Sequence, residues 1–222
     1  MSHTETVSPP STHYALNRRG YGTHQAIAAR VRPGSRILDV GCASGYVMGY
    51  LRDVKGCEGI GIEQDPAAAH QARLAGFSVV EDGAERGMAV AASDGPFDHI
   101  VFGDVLEHMV DPGPVLAGSR DLLHSDGTVI VSLPNVVSLR ARMRLASGVW
   151  RYEDSGIFDR THLRFFTVST GRNFVIECGF RISHETFVGP LTFLGGHRLL
   201  ALTALRPGLL GNQMVFELRP AG

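Results

Sequence analysis

Short, nearly unbroken apolar runs alternate along this chain with stretches whose apolar residues recur at helical spacing. Runs over 36–40, 59–62, 77–80, 97–102 and 128–133 are rich in Val, Ile, Leu and Phe and bounded by Gly, Pro or Asp, which predicts five strands. Residues 46–53, 66–75 and 114–123 between them read as helices, the second with Pro66 directly after the N-cap candidate Asp65. Residues 14–31 also read as helix; Gly20 and Gly22 divide a short leading piece from a stronger stretch beginning near Thr23, and Pro33-Gly34 ends it. Two more helices are predicted over 136–145 and 171–178, and two closing strands over 181–188 and 213–218. Strands without polar alternation, interleaved with helices, are what a parallel sheet covered on both faces requires. The pattern therefore predicts a doubly wound α/β fold: one mostly parallel, seven-stranded sheet with helices on both faces. The segment 136–170 is polar and irregular over much of its length and carries aromatics, which predicts a small lid after the fifth strand. Residues 1–12, rich in Ser, Thr and Pro, are expected to be a disordered tail, and 13–222 a single domain.

Composition narrows the function. A chain of 222 residues, 44% hydrophobic and 19% charged, fits one globular domain and excludes a disordered polar chain. The net charge of −1 supplies no field to draw in a polyanion, so nucleic acid is not expected as a partner and a small molecule is. No apolar run approaches the roughly 20 residues that cross a bilayer. The first residues also lack the basic-then-apolar order of a signal peptide, so no membrane partner and a cytoplasmic location are expected. Cys42, Cys57 and Cys178 are odd in number and widely spaced, matching neither a disulfide framework nor a CxxC zinc site. No metal is expected, with a divalent cation on the lid carboxylates Asp154 and Asp159 left open, as is a homodimer.

The chemistry concentrates at strand ends. In an open parallel sheet the ligand crevice lies beyond the carboxyl ends of the strands, so the turn after the first strand, Asp39-Val40-Gly41-Cys42-Ala43-Ser44-Gly45, is where a cofactor docks. Gly41 and Gly45 permit close backbone approach, but the G-x-G-x-x-G dinucleotide fingerprint is missing, since Ala43 stands where its second glycine would be. A bare strand-to-helix turn is the alternative. Gly59-Ile60-Gly61-Ile62-Glu63 then places a carboxylate at the end of the second strand, about twenty residues on, where it can accept both hydrogens of a ribose diol. That indicates an adenosine-type ligand without choosing the cofactor.

The Asp39–Gly45 string resembles the first motif of the class I S-adenosylmethionine-dependent methyltransferases, D-x-G-x-G-x-G, with Ala43 at its middle glycine. Phe97-Asp98-His99-Ile100-Val101-Phe102-Gly103-Asp104-Val105-Leu106-Glu107-His108 is similar to the fourth-strand motif of the same family, including the Leu-Glu-His triplet of its small-molecule branch. Asp159-Arg160-Thr161-His162-Leu163-Arg164-Phe165-Phe166-Thr167 resembles strings in bacterial methyltransferases, some acting on sugars and secondary metabolites, and a related His in the methionine-biosynthesis W proteins. The resemblance covers 36–135 and implies a Rossmann-like fold with S-adenosylmethionine as cofactor. It assigns cofactor contacts to Asp39, Gly41, Ala43 and Gly45, to Glu63 on the ribose and Gln64 beside it, and to Gly103, Asp104 and Val105 at the methionine end. The family's Gly-Asp pair after the third strand is inverted here as Asp82-Gly83, so the adenine contact falls to Asp82 or to backbone alone.

On the acceptor side, an imidazole with an ordinary pKa of about 6.5 suits removal of a hydroxyl proton, which names His162 first and His108 second. The alternatives are a histidine tying the lid to the sheet, and a capping residue in the first turn of a helix. Arg160, Trp150, Tyr152 and Phe165 are expected to grip the acceptor, unless the aromatics are the lid's own small core. Arg140, Arg142, Arg144 and Arg151 read as a basic rim or, alternatively, a solvated face. Three functions remain in view: a small-molecule methyltransferase acting on oxygen of a natural product, sugar or other secondary metabolite; a non-catalytic subunit similar to the methionine-biosynthesis W proteins; and a nicotinamide-dependent oxidoreductase, which the missing fingerprint disfavours.

Overall fold

The computed structural model describes residues 22–190 and 200–222, so the expected tail 1–12 and the helical piece before Gly22 lie outside the described residues. Seven strands form one sheet in the order β3-β2-β1-β4-β5-β7-β6. Strands β1 (Arg36–Val40), β2 (Glu58–Ile62), β3 (Ser78–Val80), β4 (Phe97–Gly103) and β5 (Leu123–Pro134) pair in parallel. The closing strand β7 (Gln213–Pro220) runs antiparallel between β5 and β6 (Phe180–Val188). The chain winds outward from β1 to β3 and returns to β4 beside β1, which makes the carboxyl ends of β1 and β4 the point where a crevice opens.

Both sheet faces are covered, which is why the strands read as unbroken apolar runs. Successive side chains of a strand point to opposite faces. Leu38, Ile100 and Val129 enter one core with Val115 and Leu116 of α5 (Pro112–Gly118) and Val175 of α7 (Val168–Glu177). Their neighbours Ile37, Val101 and Ile130 enter the other, with Ile27 of α1 (Thr23–Arg30) and Val47 and Leu51 of α2 (Tyr46–Lys55). His99 on β4 is a polar residue buried among them, 1% exposed. The backbone N–H of Arg32 donates to its Nε2 at 3.0 Å, so the ring is neutral, and Nδ1–H donates to Thr128 Oγ1 at 2.7 Å.

Local signals act where expected: α3 (Pro66–Leu74) starts on Asp65, whose carboxylate accepts from the amides of Ala67 and Ala68. Three elements differ from the sequence reading. A helix α4 (Ala84–Ala91) occupies a short stretch interrupted by Gly87; that glycine lies against the Ile62 side chain, and tight packing on β2 outweighs its poor helix propensity. The helix expected over 114–123 is α5 plus a 3-10 turn, Ser119–Leu122, because β5 already begins at Leu123 with a polar, exposed extension. His108 lies not on a helix but on a 3-10 turn, Leu106–His108.

After β5, α6 (Leu139–Ala146) is capped by Ser138, and an irregular segment follows to α7, which Thr167 and Thr170 cap reciprocally. The irregular segment is tied to the β4 turn through the Glu107 carbonyl, which accepts from the amides of Leu163 and Arg164 at 2.8 and 3.0 Å. Among the described residues no helix is long and apolar enough to cross a membrane.

Candidate functional site

A cavity of about 960 Å³ opens at the carboxyl ends of β1, β2 and β4, within the range of pockets that enclose cofactor-sized ligands. Its wall includes Gly41, Ala43, Glu63, Gln64, Asp82, Gly83, Gly103, Asp104, Val105, His108 and His162. Asp39 and Gly45 are not in the wall. Asp39 is 2% exposed beneath the turn, and its Oδ2 makes no hydrogen bond. Burial, then the charge of Glu63, pushes the Asp39 carboxyl up to about 7. Gly45 is buried and caps α2 from the left-handed region, φ +77°.

The turn after β1 is shaped for close approach. Gly41 has φ +75°, and a Cβ there would stand 2.5 Å from Val105 Cγ2, so only glycine lets this turn abut the one after β4. Ala43 also sits in the left-handed region, φ +48°, at a cost of roughly 1 kcal/mol. The amides of Gly41 and Cys42 both donate to the Ile62 carbonyl, which clamps the turn to β2. Glu63 completes the clamp: Oε2 accepts from Ala43 N at 2.9 Å and Oε1 from Asp65 N at 2.8 Å. Each oxygen keeps a second lone pair for a ligand in the cavity.

Asp82 Oδ1 accepts from Gly83 N at 2.7 Å and pairs with Arg86, so the inverted Asp-Gly order still leaves both residues in the wall. Asp104 is held in the left-handed region, φ +55°. Its Oδ1 accepts from Ser132 Oγ at 2.5 Å and from Gln213 Nε2 at 3.0 Å, and burial raises its pKa. Glu63, Asp82, Glu85, Asp104, Glu107 and Asp159 all line the cavity, against the one guanidinium of Arg86 among the described wall residues, so the wall suits a cationic ligand.

At the lid end, Glu107 is 1% exposed, its Oε2 has no hydrogen bond, and burial followed by the Asp104 charge holds its carboxyl well above the ordinary range. His162 reaches across from the lid, Nε2 3.9 Å from Glu107 Oε1; burial, then the neighbouring His108, lowers its pKa. The two imidazoles meet edge to face at 4.7 Å. His108 Nδ1 lies 3.3 Å from the Thr161 carbonyl, which can only accept, and 2.9 Å from Thr161 Oγ1, whose proton goes to Asp159 Oδ1 at 2.6 Å. Nδ1 therefore carries a hydrogen, which leaves Nε2 as the ring atom turned away from Thr161. Burial alone would raise the Asp159 carboxyl; its hydrogen bonds from Thr161 outweigh this and hold it low.

The structure places the expected acceptor-side residues of the lid away from the cavity. Trp150, Tyr152 and Phe165 are 46%, 58% and 45% exposed and lie outside the cavity wall; Trp150 packs edge to face on the other two and on Phe158, the lid's own small core. Arg160 pairs with Asp154 at 2.7 Å on the surface. Arg144 bonds Glu153 and lies 4.2 Å over Phe158, so it serves the lid's packing. Sequence reasoning gave no site role to Thr161 or Gln213, and named Glu107 only within the Leu-Glu-His triplet. Its adjacency to His108 in the Leu-Glu-His triplet was the available signal for Glu107; Gln213 carried none.

The family model described as "Methionine biosynthesis protein MetW" matches residues 22–218. The "Ubiquinone biosynthesis O-methyltransferase" of Alkalilimnicola ehrlichii is 37% identical over 107 residues, 46% of this chain and 42% of that protein. The enzyme of the same name from Xanthomonas campestris pv. campestris is 32% identical over 114 residues, 49% of this chain and 47% of that protein. The matches thus span less than half the length of these curated relatives. Among solved structures, a SAM-dependent methyltransferase from Archaeoglobus fulgidus superposes with TM-score 0.58 at 18% identity over 89% of this chain and 95% of that one. A methyltransferase from Thermotoga maritima, described as a possible histamine N-methyltransferase, superposes with TM-score 0.62 at 18% identity over 90% and 87%. These likenesses establish the Rossmann-like methyltransferase fold.

Proposed function

The chain belongs to the MetW family, and on that premise we propose that it is an S-adenosylmethionine-dependent methyltransferase acting on oxygen of a small hydroxylated acceptor, a natural product, sugar or other secondary metabolite. The observation that carries the reading is Glu63 at the end of β2, bonded to the turn after β1 and facing the same cavity as Gly103–Val105. The wall fits the cofactor: a ribose-binding carboxylate, a turn in which Gly41 leaves no room for a side chain, and an excess of negative groups for a sulfonium and an ammonium. When bound, S-adenosylmethionine supplies a methyl group already primed for displacement by its positive sulfur.

The protein's own work is alignment and exclusion of water. Glu63, with Gln64 and Asp82-Gly83 beside it, holds the nucleoside end; Gly41, Ala43 and Gly103–Val105 hold the methionine end. Gly45 and the buried Asp39 support the turn from below. The acceptor enters from the lid side, where His108 and His162 meet its hydroxyl and take charge of its proton. Segment 136–170 serves as the lid of a single domain, 13–222, and the protein works in the cytoplasm without a membrane or nucleic-acid partner.

The test is methyl transfer itself. Labelled S-adenosylmethionine incubated with pools of phenols, sugars and hydroxylated acids is expected to label at least one pool, with stoichiometric release of the thioether product. Failure to label any pool while the protein binds the cofactor would refute the enzymatic reading. The family match favours one second reading, a non-catalytic subunit acting through a partner enzyme; a stoichiometric copurifying protein together with absent transfer would support it.

A further inference from the structure

We propose that Glu107, His108 and His162 form a binding site for one divalent cation of the zinc class at the lid end of the cavity. Each side chain offers one ligand atom, and these atoms lie within 4.8 Å of one another. Three atoms so spaced stand no more than about 2.8 Å from a common centre, so shifts of under about 1 Å each reach metal–ligand bonds of about 2.0–2.2 Å. Glu107 is the independent pointer: its carboxyl is 1% exposed and Oε2 has no partner among the described residues, a buried polar atom that a bound cation would satisfy. His162 does not neutralise it as it stands, because 3.9 Å is beyond hydrogen-bond range.

The surroundings of His108 are those of a metal-bound imidazole. Its Nδ1–H is held by Thr161, and the Thr161 hydroxyl is held by Asp159, 5% exposed, which fixes the tautomer and leaves Nε2 as the donor atom. Two imidazoles and one carboxylate select a borderline cation such as Zn²⁺ over Mg²⁺, which prefers oxygen ligands and retained waters. Three protein ligands leave positions open toward the cavity. A cation there would bridge the turn after β4, carrying Glu107 and His108, to the lid, carrying His162.

The consequence for chemistry rests on the methyl-transfer reading. An acceptor hydroxyl that ligates the cation loses its proton at a lower pH, and the imidazoles then serve as ligands in place of free bases. The acceptors favoured are those with an oxygen able to ligate, a phenol or a vicinal diol.

The experiment uses the full chain, stripped with a chelator and titrated with Zn²⁺ against a chromophoric competitor, with Co²⁺ as spectroscopic probe and Mg²⁺ as comparison. One Zn²⁺ per chain is expected, with visible Co²⁺ bands and no Mg²⁺ competition. Glu107→Gln and His162→Ala should each weaken Zn²⁺ by at least a hundredfold and alter the Co²⁺ bands; Thr161→Val should weaken it about tenfold. His70→Ala, removing an exposed histidine on α3, should change nothing. Metal-free melting of each variant separates lost ligation from lost folding. Absence of stoichiometric Zn²⁺ binding, or equal affinity in wild type and His162→Ala, would overturn the site. Binding of S-adenosylhomocysteine to the stripped protein is measured alongside: if it persists while Zn²⁺ fails to bind, the cation site alone falls, and if it is absent the proposed function falls.

Discussion

Replacing Glu63 by alanine removes a carboxylate whose oxygens hold the amides of Ala43 and Asp65 at 2.9 and 2.8 Å and whose remaining lone pairs face the cavity. Hydrogen bonds to a charged group contribute about 1.5–3 kcal/mol each. Glu63 is partly exposed, which argues for the lower end, so two bonds to a ribose diol amount to about 3 kcal/mol, a loss of roughly a hundredfold in cofactor affinity. Stability should fall by less. The two backbone bonds, at the same lower end, contribute about 3 kcal/mol together, and losing the Glu63 charge offsets part of this by relieving Asp39, whose pKa that charge helps to raise. Calorimetric titration with S-adenosylhomocysteine, paired with a urea melt, reads both quantities. The expected result is a hundredfold loss of affinity with less than about 3 kcal/mol of unfolding free energy lost. An affinity within threefold of wild type in a folded Glu63→Ala protein would refute the assignment of Glu63 to the diol.

Gly41→Ala forces a Cβ to 2.5 Å from Val105 Cγ2 at φ +75°, so a thermal melt should show about 1–3 kcal/mol of destabilisation together with weakened cofactor binding. Trp150→Ala, on the exposed lid cluster, should leave S-adenosylhomocysteine affinity unchanged in the same titration. His108→Ala should cut turnover by more than a hundredfold while cofactor affinity holds, read by steady-state kinetics and calorimetry together. His99 sets a pH dependence: burial first, then Arg32, lowers it from about 6.5 to about 4 in the folded protein. Between those values the unfolded chain binds the proton and the folded one does not. Stability from this group is therefore full above pH 6.5 and is lost as pH falls toward 4, by about 3 kcal/mol. Urea melts at pH 7 and pH 4 should show that extra loss in wild type relative to His99→Gln.

What the sequence made legible is what local physics encodes. Strands β1, β4 and β5 announce themselves because burial on both faces removes polar alternation, and the turns at Gly41 and Glu63 because their spacing is contiguous. Helix α4 hid because Gly87 meets the needs of packing on Ile62 and not those of propensity. How segment 136–170 faces was not legible: an irregular segment has no period, so nothing in the order Trp150, Tyr152, Phe165 tells an outward cluster from an inward one. The bonds of Asp104 to Gln213 and of His108 to Thr161 join residues 109 and 53 positions apart, and only the antiparallel insertion of β7 beside β5 and the returning lid bring them together.

The account stands on the identity of the ligand between β1 and β4. The most direct measurement titrates the wild-type chain, side by side, with S-adenosylhomocysteine and with NADH. Saturable one-to-one binding of the thioether and no heat from NADH is the predicted result; preference for NADH, or no response to either, would contradict it.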